Sequence, residues 1–476
     1  MKTIPDHVFR GYDLRGLVDK ELDEENVEIL AKGYATWLLQ RRIHDCIVGY
    51  DCRLSSPKFR DAMVKGLTKS GINVYDIGMT LSQICYYACY YFRTRGMVMI
   101  TASHNPKEYN GFKFGTGYSE TMLTEEVIGL REIVKAGKFT KRAPKGKVTV
   151  KDIKNDYFAD VLKNVDSIRK FKVVVDSCAG STGIYLPELL QKAGCEVIEQ
   201  NTKPDGNFPA GTPDPTEKEV QERLAKRVVK EKADIGFSYD TDGDRIGVVD
   251  EKGNLIWNDT LLALFAKDVL SYLPGSKIIF NTLCSKQVND VVEENGGLPI
   301  IWITGHSFIK AKIKEERAPF GGELSGHIYF VDNFFGHDDG AIASLRLLAY
   351  LTRVNKTLSQ AIEELPKYIF SPEIKVGCPD KIKFNLVSHK IGVEIKKLYP
   401  KAKYVEIDGV RMDTDNEMLI IRASQNGPYL TVKFEAKTQS KYDLLKKQVN
   451  DILHQFKEID FKSGVNIRSL DLLRNK

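Results

Sequence analysis

Short β-rich runs alternate with stretches of helical spacing along most of this chain, and the alternation restarts three times. Cys46-Ile47-Val48-Gly49-Tyr50-Asp51 reads as a buried strand, residues 57–69 carry helical spacing, and Gly71-Ile72-Asn73-Val74-Tyr75-Asp76 and Met97-Val98-Met99-Ile100-Thr101 read as further strands. Parallel neighbours need a long crossover, so the pattern predicts βαβ units and a mostly parallel sheet. It begins again at Lys172-Val173-Val174-Val175-Asp176, with a helix over 185–193 and the strand Glu196-Val197-Ile198, and again at Lys277-Ile278-Ile279-Phe280, with a helix over 286–295 and a strand over 299–304. Lys, Gly and Pro collect at 135–147, Glu251-Lys252-Gly253-Asn254 is a turn, and 366–372 forms a third joint. Beyond it the texture changes. Tyr429-Leu430-Thr431-Val432-Lys433-Phe434-Glu435-Ala436 alternates like a half-exposed antiparallel strand, and a helix over 441–457 follows. The expectation is four domains, 1–147, 148–252, 253–369 and 370–476: three related α/β domains and a C-terminal α+β domain.

Composition enters as a set of exclusions. With 42% hydrophobic and 28% charged residues, collagen-like and disordered chains are ruled out. Seventy basic against 64 acidic residues leave +6 spread over 476 positions, which does not suggest a nucleic-acid partner but suits a small anionic substrate held by a few arginines. The eight cysteines form no Cys-x-x-Cys pair and no zinc pattern, and are expected to be reduced core thiols. No apolar signal region opens the chain, and runs such as 261–266 are too short to span a bilayer. The expected setting is cytoplasmic, with no membrane partner.

Four loops carry chemistry. Thr101-Ala102-Ser103-His104-Asn105-Pro106 follows an apolar strand, where α/β proteins place reacting groups, and Asn105-Pro106 forces a turn; Lys113 lies ten residues beyond Ser103. Ser238-Tyr239-Asp240-Thr241-Asp242-Gly243-Asp244-Arg245 sets three aspartates at alternate positions. Their mutual repulsion a hard divalent cation such as Mg²⁺ would relieve. An EF-hand is excluded because Arg245 stands where that loop needs glycine. Gly321-Gly322-Glu323-Leu324-Ser325-Gly326-His327, preceded by Thr304-Gly305-His306, offers a carboxylate, a hydroxyl and an imidazole suited to sugar hydroxyls, with an incidental glycine-rich turn an equal alternative. Arg422-Ala423-Ser424-Gln425-Asn426-Gly427-Pro428 has the donors of a phosphate cradle, without being a Walker A loop; a plain β-turn explains it equally well.

Taken in order, these loops resemble the α-D-phosphohexomutase superfamily, in its bacterial phosphomannomutase/phosphoglucomutase branch. The opening Phe9-Arg10-Gly11-Tyr12-Asp13-Leu14-Arg15-Gly16, the stretch Asp205-Gly206-Asn207-Phe208-Pro209 and Pro213-Asp214-Pro215 extend the likeness nearly end to end. The resemblance implies four domains around a central cleft, three mixed-sheet α/β domains and a TBP-like fourth. It implies interconversion of hexose 1-phosphate and hexose 6-phosphate, with mannose or glucose as the sugar. Ser103 corresponds to the phosphorylated serine and, with Asp240, Asp242 and Asp244, to the Mg²⁺ ligands. Glu323, Ser325, His306 and His327 would meet the sugar, and Arg422, Ser424, Gln425, Asn426 and Gly427 its non-reacting phosphate. Tyr12, Arg15, His104, Lys113 and Arg245 would line the reaction centre, with Lys113 and His327 as candidates for proton transfer. A hexose 1,6-bisphosphate would be intermediate and activator, turning end for end in the cleft, and the assembly is expected to be a monomer or homodimer.

The chain departs from the branch in three places. Asn281-Thr282-Leu283 stands where Asp-Val-Lys is usual, Ile303 where a lysine is common before Thr304-Gly305-His306, and Gln425-Asn426-Gly427 in the phosphate loop. These changes bear on sugar preference and phosphate affinity. A hexosamine-phosphate mutase of the same fold and a non-catalytic sugar-phosphate binder remain open, while an aspartyl-phosphate enzyme of haloacid-dehalogenase type is disfavoured by Asp244.

Overall fold

The computed structural model describes residues 4–424 and 427–471. Four sheets organise it, three mixed and one antiparallel. In the first, Asp45–Tyr50 lies between Asn73–Met79 and Gly96–Ile100, all parallel, and Gly96–Ile100 then pairs antiparallel with Tyr109–Gly117, which carries Leu14–Leu17 on its other edge. The second places Lys172–Asp176 parallel to both Glu196–Gln200 and Ile235–Tyr239, and turns back through the antiparallel strand Ile246–Asp250. The third repeats the plan with Lys277–Asn281, Leu298–Trp302 and Phe320–Gly322, closed by the antiparallel Ile328–Phe330. Strand Val148–Val150 adds to the edge of the first sheet and Leu255–Ile256 to that of the second.

The local reasons are ordinary. Gly96–Ile100, Ile235–Tyr239 and Ile246–Asp250 are buried at every position, as strands with both faces covered must be, and apolar residues fill them. Helices such as Ser56–Lys69, Lys218–Glu231 and Lys286–Glu294 supply the crossovers. One apolar cluster runs without a break from Ile47 and Leu81 of the first domain through Phe237 and Leu264 to Ile420 of the fourth.

In the fourth domain the strands run Lys403–Val405, Val410–Asp413, Glu417–Ala423, Tyr429–Ala436, Ile374–Gly377 and Asp460–Val465 in an antiparallel sheet, with helix Gln439–Leu453 packed on it. The α+β expectation holds, but Tyr429–Ala436 is not half exposed. Every residue after Tyr429 is buried, because the polar face of the strand lies against the third domain, where Lys433 and Glu435 find partners. All eight cysteines are buried and free. Among the described residues no helix is long and apolar enough to cross a membrane.

The repeat is topological. In each of the first three domains a parallel strand turns into an antiparallel one, and that turn is a chemical loop: 101–108, 240–245 and 323–327. In the fourth domain Ser424 and Gly427 lie between the antiparallel strands Glu417–Ala423 and Tyr429–Ala436.

Candidate active site

Ser103 sits three residues past Gly96–Ile100 in the left-handed backbone region, at φ +49°, and its N–H donates to Thr101 Oγ1 at 2.8 Å. An L-residue there needs outside support. Arg53 gives it. This arginine, 1% exposed, is held by Asp51 through Nε at 3.2 Å and donates through Nη1 and Nη2 to the carbonyls of Pro106, Tyr109, Ser103 and Asn105 at 2.8, 3.0, 2.7 and 2.6 Å. The serine hydroxyl, fixed by that grip, donates to Asp240 Oδ2 at 2.6 Å and lies 3.1 Å from His104 Nδ1. A hydroxyl of the first domain thus reaches the aspartates of the second.

Asp240, Asp242 and Asp244 are fully buried, and each offers a carboxylate oxygen within 4.8 Å of the others. Burial, followed by the charges of Asp242 and Asp244, pushes the Asp240 carboxyl well above its ordinary range. Burial also works against ionised Asp242, but Lys113 Nζ, 2.8 Å away, and the Ser82 hydroxyl, 2.6 Å away, outweigh it and hold that carboxyl down. Lys113 also bonds Asp244, so its ammonium pairs with two of the three carboxylates. Asp242 Oδ1 and Asp244 Oδ1 are buried with no hydrogen-bond partner among the described residues. Unpaired buried oxygens of this kind are costly, and a hard divalent cation is the partner they suit. The residues therefore fit such an ion.

The third domain closes the site from the other side. A backbone bridge joins Arg245 to His327, and Arg245 Nε donates to His327 Nε2 at 3.1 Å. His327 Nδ1 lies 2.9 Å from Asp338 Oδ2, and because Arg245 Nε donates to Nε2, that nitrogen is the acceptor of the ring. Glu323, 1% exposed, accepts from the Gly305 N–H at 2.7 Å and the Tyr329 hydroxyl at 3.3 Å. Ser325 stands half-buried on the cleft wall. His306 Nε2 lies 3.3 Å from Asp13 Oδ2, with the Tyr12 ring edge-on at 4.8 Å, and burial lowers its imidazole below the ordinary value. Gly305 must be glycine: its φ is +138°, and a Cβ there would sit 2.5 Å from the Tyr12 ring. Arg15 Nη2 donates to Asp13 at 3.1 Å from the strand beside that of Lys113.

From the fourth domain, Arg422 Nε donates to Asp408 Oδ2 at 3.0 Å, while Lys383 binds the carbonyls of Ser424 and Gly427 and so shapes the loop. Gln425 and Asn426 lie outside the described residues. All four loops open on one cleft of about 890 Å³, whose lining includes Ser103, Arg245, Glu323, His327, Arg422 and Ser424. Arg53, Asp338 and Lys383 were missed by the sequence reading. Their work is to hold backbone or another side chain, and Asp51-Cys52-Arg53 and His337-Asp338-Asp339 have no spacing that announces such a task.

Comparison with known proteins agrees with this arrangement. Models of phosphoglucomutase/phosphomannomutase α/β/α domains I, II and III match residues 6–141, 155–253 and 257–368 in turn. A phosphomannomutase/phosphoglucomutase of Pseudomonas syringae pv. tomato is 38% identical over 440 residues, 92% of this chain and 93% of the relative. A phosphoglucomutase of Neisseria gonorrhoeae is 34% identical over 459 residues, 95% of this chain and 98% of the relative. The crystal structure of a phosphoglucomutase/phosphomannomutase family protein from Burkholderia thailandensis superposes with a TM-score of 0.88 at 31% identity, covering 95% of this chain and 98% of that one. With its three domain models matched in order and relatives aligned over nearly its whole length, this chain belongs to the phosphoglucomutase/phosphomannomutase family.

Proposed function

We propose that this chain is a phosphohexomutase that interconverts hexose 1-phosphate and hexose 6-phosphate, with mannose or glucose as the sugar, through a phosphoserine at Ser103 and a hexose 1,6-bisphosphate that turns end for end in the cleft. The observation that carries it is the seating of Ser103 Oγ, 2.6 Å from Asp240, in a cleft also lined by Glu323, Ser325, Arg422 and Ser424. Relatives named phosphomannomutase/phosphoglucomutase support the substrate class.

Asp240, Asp242, Asp244 and the Ser103 oxygen would hold Mg²⁺, which when bound supplies positive charge against the transferring phosphoryl group. In the first half-reaction the bond between phosphorus and Ser103 Oγ breaks while one forms between phosphorus and the free sugar hydroxyl oxygen. The hydroxyl proton passes to His327 Nε2, the nitrogen that accepts from Arg245, once Arg245 turns from it to the phosphoryl oxygens. Arg15 and Lys113 add fixed charge, His104 orients the serine, and Tyr12 and His306 wall the reaction centre. Glu323 and Ser325 hold the sugar hydroxyls while Arg422, Ser424 and Gly427 keep the other phosphate. After reorientation the same steps run in reverse at the other end, returning a phosphate to Ser103.

Replacing Ser103 with alanine tests the proposal. Wild-type protein should interconvert glucose or mannose 1- and 6-phosphates in the presence of hexose 1,6-bisphosphate and carry one phosphate by intact mass. Ser103→Ala should lose both. Full turnover by the variant would overturn the mechanism.

A further inference from the structure

A phosphate monoester is nearly a dianion at neutral pH, and the charge that would meet it on the fourth domain is mostly neutralised. Arg422 is paired with Asp408 at 3.0 Å, and Asp408 Oδ2 also accepts from Thr282 Oγ1 at 3.2 Å and from the Thr304 N–H at 3.1 Å. Lys433 is tied to Asp259 at 2.7 Å and to the Leu283 carbonyl at 3.1 Å, with both ion partners buried. Each pair sums to zero charge and is anchored in the seam with the third domain.

One further cation stands on the same sheet face. Thr431 is the register partner of Arg422 on one side and of Lys375 on the other, so the three form a row across adjacent strands. Side chains two residues apart share a face, and strands lie about 4.8 Å apart, which puts the Arg422 and Lys375 backbones about 10 Å from each other. Two long side chains flanking a short threonine at that separation can converge on one phosphate above it. Lys375, Thr431, Tyr429, Ser424 and Arg422 all line the cleft. The ammonium lies 5.4 Å from the Tyr429 ring centre, and its counter-ion is Glu373 at 3.5 Å, in a pair about a third exposed on each side. Exposed pairs of that length gain little, so Lys375 can leave Glu373 for a dianion far more readily than Lys433 can leave Asp259.

We propose that Lys375 is a further substrate-binding residue, which completes with Arg422 and Ser424 a two-cation cradle for the non-reacting phosphate. The proposal rests on the phosphohexomutase reading for the identity of the ligand, but not for its phosphate chemistry. Lys375→Met keeps the chain length and removes the charge. Its KM for glucose 1-phosphate should rise 10- to 100-fold with kcat within about 3-fold of wild type, and Lys375→Arg should recover most of the loss. Calorimetric titration of the same proteins with inorganic phosphate should show a matching rise in Kd. Unchanged KM and unchanged phosphate affinity in Lys375→Met would overturn the role of Lys375 and leave the mutase reading standing. If wild type turned over no hexose phosphate, that reading would fall, and the phosphate titration alone would then decide for or against Lys375. If Lys375→Met did not fold, Lys375→Gln would replace it in both measurements.

Discussion

Removing the Arg53 guanidinium would strand four backbone carbonyls and leave Asp51 buried without its cation. Breaking a buried ion pair on one side costs about 3–5 kcal/mol, so Arg53→Ala should be visible as an earlier urea midpoint. A larger effect is expected on turnover. The loop places Ser103 Oγ against Asp240, and a shift of an ångström in a reacting atom costs about a hundredfold in rate. Arg53→Ala should therefore lose roughly two orders of magnitude in kcat with KM within about 3-fold, while Arg53→Lys should recover part of it. A variant that loses stability but keeps kcat would show that Arg53 serves only the fold. The same division of labour recurs at Asp338, which faces Nδ1 of His327, and at Lys383, which holds the carbonyls of Ser424 and Gly427.

Among the secondary-structure elements, strand Tyr109–Gly117 does the most. It pairs with the strand that ends at the Ser103 loop, carries Lys113 to the aspartates and hydrogen-bonds the strand bearing Arg15. Its close approach to the last of these depends on Gly111, where an added Cβ would lie 2.1 Å from the Leu14 carbonyl oxygen. Backbone cannot yield as a side-chain tip can. Gly111→Ala should cost about 1–3 kcal/mol, measured by thermal unfolding, and should lower kcat/KM by pushing Arg15 away from Lys113. Wild-type kcat/KM in this variant would show that the spacing of those two strands does not matter to catalysis. Much at this level was legible in the sequence: the buried Val- and Ile-rich strands and the helices between them follow from apolar spacing alone. The burial of Tyr429–Ala436 was not, because the polar face of that strand is covered by another domain, at Ser285 and Asp259, 150 and 174 residues from their partners.

For the molecule as a whole, the seam between the third and fourth domains is the place where pH should act. Arg411 binds the Thr282 carbonyl at 2.8 Å and that of Cys284, and Glu435 accepts from the Ser285 hydroxyl and the Lys286 N–H at 2.9 and 2.5 Å. Burial pushes the Glu435 carboxyl up to about 7 from an ordinary 4.5; Lys433 opposes the rise and Asp259 adds to it. Between those two values the folded chain keeps a proton that the unfolded chain has released. The Glu435 contribution to stability should consequently be full below pH 4.5 and fall as pH rises to about 7, by up to about 3 kcal/mol. Urea unfolding of wild type and Glu435→Gln across this window checks it. The variant should show the smaller decline with pH, and identical profiles would remove Glu435 from the account.

The sequence by itself determined the three α/β units, the change of texture after residue 370 and the four chemical loops, because apolar periodicity and short runs of glycine, aspartate and serine are local properties. It also carried the likeness to a known family, since those loops occur in a fixed order. Only the tertiary structure decided that the first three loops are the turn of one hairpin repeated in each α/β domain, and that they meet residues of the fourth domain in one cleft. It alone found Arg53, Lys375 and Asp338. The reason is physical: their effect depends on register across strands and on contacts spanning domains, and neither distance nor desolvation is written in the spacing of residues along a chain.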